Sequence, residues 1–161
     1  TLFLVPFALI GVGLIIWFVR QLLVTTGVGP TLAEVSDHPL LPGRGYQIFV
    51  SQTGWLRVER FDVSLLCHEE ATFRQGTNTR TETREVYRQL LFAREAFEVT
   101  HGNAFETVID FSVPASVMHS FKSPHNAVLW KLVICGKVEG WPPFSRAFPL
   151  VLRPGPGGTV A

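Results

Sequence analysis

The chain has little of what announces a catalytic or metal centre. It holds two cysteines, Cys67 and Cys135, with no CxxC step and no Cys/His spacing of the zinc type. Two cysteines in 161 residues are not a disulfide framework, although a single bridge between them stays open. There is no Walker loop, no dinucleotide fingerprint and no glycine-rich phosphate cradle. A charge surplus is also missing. Fourteen basic residues face 13 acidic ones, and setting Arg20 aside leaves 13 of each. Nucleic-acid binders usually carry a clear basic excess, so this balance argues against that class. No charged residue precedes Arg20, and the chain begins at Thr1 rather than methionine, which reads as a fragment or a processed product.

That uncharged beginning is the most informative stretch. Residues 2 to 19, LFLVPFALIGVGLIIWFV, are apolar throughout, and Leu22, Leu23 and Val24 extend the run past Arg20 and Gln21. At about 1.5 Å per residue a helix of this length is long enough to cross a bilayer. Pro6 sits near its start, where a missing N–H costs least. Trp17 and Arg20 suit the membrane interface, as an amphipathic ring followed by a charge that can snorkel. No basic region or small-residue cleavage site marks a signal peptide, and Gly11 and Gly13 are too close to form GxxxG. The expected organisation is a transmembrane helix over 1–24, a linker over 25–33, a β domain over 34–154 and a flexible tail over 155–161. Arg20 and Arg44 follow the helix, so the positive-inside rule places the globular part in the cytoplasm.

Beyond the linker the apolar residues change period from helical to alternating. Residues 48–50 form a short strand. Residues 55–68 form a long one, with Phe61, Val63, Leu65 and Cys67 on one face. Leu56 and Val58 have the opposite phase, which predicts a bulge near Glu59 and Arg60. Later strands are expected over 105–113, 127–135 and 146–152, with Pro149 marking an edge or bulge. Turn signals separate them, and no amphipathic helix of ten residues follows residue 31. Roughly 120 residues of this pattern make an antiparallel, immunoglobulin-type β-sandwich of about seven to nine strands. Cys67 lies with an apolar face and Cys135 beside lysines, which argues against a core disulfide.

The segments FETVIDFSVPASVMHSF and AVLWKLVICGKVEGWPPFSRAFPLVLRP carry a family likeness. An apolar strand ends at Pro114, a loop holds the Ser120–Phe121 pair, the next strand carries Trp130, and a final strand ends near a proline. With HPLLPGRG at 38–45, this layout resembles the amino-terminal β-sandwich of arrestin-like proteins. It is similar as well to the carboxy-terminal part of bacterial two-helix membrane proteins of unknown function. The resemblance covers residues 38–154, and it implies protein–protein interaction and scaffolding rather than catalysis.

Candidate chemistry is sparse. Ser36, Asp37 and His38 are adjacent, and adjacent residues rarely reach triad geometry. His119 and His125 share a loop without an evident third ligand. Glu69 and Glu70 point to opposite faces of a strand. The sequence therefore points to no catalytic, cofactor or metal site. Residues 76–88, GTNTRTETREVYR, read as a projecting polar hairpin that enters the core with Val86, Leu90 and Phe92. Alternating charges there allow cross-strand ion pairs. Arg80, Arg84 and Arg88 share a parity and are expected to line one edge and dock an acidic protein surface. Trp141 and Phe144 in GWPPF either bury against a partner or lipid, since aromatics are over-represented in interface hot spots, or pack at the end of the sandwich. The function expected is a membrane-anchored, non-enzymatic interaction module. It would be an accessory, assembly or scaffold subunit of a larger membrane complex, for example respiratory or photosynthetic. Its partners would be the lipid bilayer and other membrane proteins, with no nucleic acid. The alternative is a membrane-anchored sandwich that senses a small molecule or lipid.

Overall fold

A computed structural model of the chain describes residues 4–76 and 78–155. Helix α1 (Leu4–Gly27) comes first, followed by eight strands. These are β1 (Thr31–Val35), β2 (Gly45–Gln52), β3 (Leu56–Gln75), β4 (Asn78–Val99), β5 (Phe105–Ser112), β6 (Phe121–Lys122), β7 (Asn126–Val138) and β8 (Phe144–Leu150). Two antiparallel sheets form. The smaller has the order β1-β2-β5, and the larger has the order β4-β3-β7, with β6 and β8 both on the far edge of β7.

Period-2 alternation builds the core. Phe61, Val63, Leu65 and Cys67 of β3, Trp130, Leu132 and Ile134 of β7, and Ile48 and Val50 of β2 are all buried between the sheets. Phe61, Phe97 and Phe105 meet with centroids 4.4–6.0 Å apart, and the Arg94 guanidinium lies about 5 Å over the Phe97 and Phe105 rings. The bulge expected near Glu59 is present: Val58 pairs with Val138 and Arg60 with Lys137, leaving Glu59 unmatched on β7. Beside it on β4, Ala96 holds a left-handed backbone with φ of 51°.

The segment expected as a linker is a built joint. Residues 25–27 finish α1, and Thr31 already begins β1. Between them Val28 is part of the core. The Val28 carbonyl accepts from Gln52 Nε2 at 2.7 Å, the Gly29 carbonyl accepts from Arg146, and the Pro30 carbonyl accepts from Thr53 N and Oγ1. Gly29, at φ 69°, leaves no room for a side chain against the Thr53 carbonyl. Gln52 is fully buried, also donates to Thr53 O at 2.8 Å and accepts from Thr31 Oγ1. The expected tail and Thr77 lie outside the described residues, apart from Gly155.

Candidate interaction surface

The outward face of the larger sheet follows from the register. Side by side across β4, β3, β7 and β8 stand Leu90, Ser64, Val133 and Ala147. The next row holds Arg88, Leu66, Lys131 and Pro149, and the one after holds Glu85, His68 and Leu129. Outward faces of antiparallel sheets are usually polar. This one carries an apolar stripe with a charged fringe. Leu66, between Arg88 and Lys131 in the register, is only 3% exposed, whereas Leu90 is 55% exposed. Where β6 ends and β8 begins along β7, the stripe opens into an apolar groove of about 460 Å³ lined by Phe121, Leu129, Pro149 and Val151.

Two bulges in β4 shape this face. Cys67 pairs with Tyr87 and His68 with Glu85, so Val86 is an extra residue. Val63 pairs with Phe92 and Ser64 with Leu90, so Leu91 is another. The first bulge overturns the shared edge expected for the three arginines. Arg80 and Arg84 lie opposite Phe73 and Glu69 on the inward-facing side, while Arg88 lies opposite Leu66 on the outward side. The same extra residue brings Glu85 and Arg88, three apart, onto one face, where they form a bidentate pair at 2.7 Å. That pairing holds the Glu85 carboxylate below its ordinary pKa. Among the described residues the ion pairs of the hairpin stretch are therefore within β4, as with Arg80 and Glu82 at 3.6 Å, rather than across its two strands.

The hairpin is shorter than expected as a free projection. Pairing of β3 with β7 runs to Ala71, and Thr72 N still donates to the His125 carbonyl. Only the last four or so residues, roughly 13 Å, stand clear. Of the three arginines only Arg80 belongs to that tip. Nor does the chain enter the core at Val86 or Leu90, which are 41% and 55% exposed; Phe97 and Val99 are the first fully inward residues. Phe92, as expected, and with it Tyr87 and Leu91, pack partly buried against the core.

The other expected contact residues divide. Phe144 is buried over Gly136, whose missing side chain makes room for its ring, so it has no surface to offer a partner. Trp141 is half-buried, with its ring edge against Gly27 at the end of α1. Trp17 and Arg20 stand exposed on α1. Ser36 and His38 do structural work: Ser36 Oγ accepts from Gln47 N, and His38 Nε2 accepts from Val151 N. Glu69 and Glu70 face opposite sides, across from Arg84 and Thr83. Among the described residues no cluster of three metal-ligating side chains forms. Cys67 is buried inward and Cys135 exposed outward, both free, and burial together with nearby Glu69 pushes the Cys67 thiol up to about 11.

The motif residues also find places. Ser120 N donates to Leu152 O, and Ser120 Oγ accepts from Leu152 N, stitching the loop after Pro114 to the end of β8. Trp130 Nε1 donates to the Met118 carbonyl at 2.9 Å, and Leu40 makes a parallel bridge with Leu152. A solved structure of Spo0M, a sporulation control protein from Bacillus subtilis, matches 79% of the chain at a TM-score of 0.59 and 12% identity. The fold is an arrestin-like β-sandwich. The chain spans 50% of Spo0M, and at this identity the likeness speaks for the fold alone. No family model and no curated protein matches the sequence. In the arrestin-like sandwich the surface that sequence inspection missed is the outward stripe through Leu90, Leu129 and Val133. Its signal was present: apart from Lys131, both faces of 127–135 carry mainly apolar residues, with Leu129 and Val133 on the second face.

Proposed function

We propose that the chain is a membrane-anchored interaction module without enzymatic activity, serving as an accessory or scaffold subunit of a membrane protein complex. The outward stripe carries this reading. Contiguous apolar surface on a sheet face, rimmed by charge, is what protein-binding surfaces display. Anchoring rests on α1, whose Val5–Leu22 window is long and apolar enough to cross a membrane and whose side chains stand exposed around its whole circumference. An isolated helix apolar on every side is stable in lipid and not in water. The sandwich is assigned to the cytoplasmic side, following the arginines after the helix.

The test uses Leu90→Asp and Val133→Asp in the full chain, extracted in mild detergent. Each charge should abolish co-migration with partner proteins while leaving the unfolding temperature nearly unchanged, because neither residue is fully buried. Migration of the native chain as a solitary monomer across several mild detergents would refute the subunit role. A second use, sensing a small apolar molecule, is favoured by one observation, the groove beside Phe121 and Leu129, whose size lies within the range of small-molecule sites.

A further inference from the structure

We infer that the helix-bearing end of the sandwich rests in the lipid headgroup layer, with Trp55 and Trp141 as its aromatic anchors. The inference rests on the membrane reading of α1 and adds which part of the sandwich touches lipid.

Three turns gather around the joint at this end. The β2–β3 turn packs its Gly54 against the Val28 carbonyl, the β4–β5 turn borders a cleft shared with Gly29 and Pro30, and the β7–β8 turn brings Trp141 onto Gly27. Of the four tryptophans, Trp130 is core and Trp17 is on the helix. The other two both belong to these turns. Trp55 is 79% exposed, more than Leu9 of α1 at 68%, although its neighbour Leu56 is buried. Water is a poor surrounding for an indole so fully presented, and an interfacial layer is a good one, because it takes the ring and the N–H together.

The depth follows from the helix. Trp141 and Pro142 line one apolar cleft with Ile15, Ile16, Val19 and Arg20. If Arg20 lies among the headgroups, Ile16 is four residues and about 6 Å deeper. The interfacial layer is itself only about 5–8 Å thick on each side. A turn seated beside Ile16 and Val19 is therefore immersed in that layer, and its sequence Gly140-Trp141-Pro142-Pro143 has no charge to oppose this. Arg57 at this end is paired to both Glu98 and Glu139, so it is not a free cation for anionic headgroups. Attachment should therefore not depend on anionic lipid or on salt.

The experiment reconstitutes the full chain into phosphatidylcholine vesicles with bromine at shallow or deep acyl positions and reads tryptophan quenching. The native chain should show strong shallow quenching. Trp55→Phe should remove a distinct part of it, with Trp130 as the unquenched internal reference. Trp55 is exposed, so this variant keeps its fold; Trp141→Phe is the companion measurement. Unchanged shallow quenching in Trp55→Phe, with the chain still vesicle-bound and Trp17 still quenched, overturns the resting face and leaves the anchor standing. Failure of the native chain to float with vesicles overturns the anchor, and the resting face with it.

Discussion

Replacing Gln52 with leucine tests the claim that helix and sandwich are joined rigidly. The side chain is fully buried and makes three hydrogen bonds: donations to Val28 O and Thr53 O at 2.7 and 2.8 Å, and acceptance from Thr31 Oγ1. Leucine matches the volume but returns none of them. A net loss of about 1 kcal/mol per bond, with partners left buried and unpaired, gives a cost of about 2–4 kcal/mol. For a domain of this size that is a drop of roughly 8–16 °C in unfolding temperature. The assay is thermal unfolding of the full chain in mild detergent, followed by emission of buried Trp130. Hydrogen exchange at residues 28–31 should quicken by more than the global destabilisation accounts for. Arg146→Ala removes the hydrogen bond to the next carbonyl, Gly29 O, so the double variant should deviate from additivity by at least about 0.5 kcal/mol. A drop below about 2 °C, or strict additivity, would show that these bonds do not hold the joint.

Other expectations are independent of that one. Ala96→Gly should stabilise by up to about 1 kcal/mol, since alanine at φ 51° carries a left-handed penalty that glycine escapes; a lower midpoint in urea unfolding would contradict this. Gly27→Ala would place a methyl 2.3 Å from the Trp141 ring, so it should cost about 1–3 kcal/mol, with recovery when Trp141→Phe is added. An impermeant thiol reagent should label Cys135 in the native protein and Cys67 only after unfolding, and native labelling of Cys135 without permeabilisation would place the sandwich outside the cytoplasm. Because folding raises the Cys67 pKa above its ordinary value near 8.5, its contribution to stability is complete below that pH and lost as pH rises through about 11. Cys67→Val should therefore flatten the alkaline decline of the unfolding midpoint.

Much of the architecture was legible. The long uncharged run marked α1, and alternation marked β3, β5 and β7, because helix and strand periods are written locally in side-chain order. The phase change at Glu59 was readable for the same reason. The joint was not. Gly27, Gly29 and Pro30 look like linker composition, and nothing in TTGVGPT reveals that Gln52 and Arg146 reach in to take its carbonyls. Phe144 looked like a loop aromatic, and its burial depends on Gly136 standing opposite on another strand.

The sequence by itself determined one apolar helix, a mainly antiparallel β domain, and the absence of a recognisable catalytic motif. Only the tertiary structure decided which residues share a surface. Arg80, Arg84 and Arg88 alternate in step along the chain, yet the extra residue at Val86 sends Arg88 to the opposite face. A bulge is a mismatch in residue count between two paired strands, so one strand's sequence cannot reveal it unless its own apolar phase slips. In the polar run from Arg80 to Glu85 there is no apolar phase to slip.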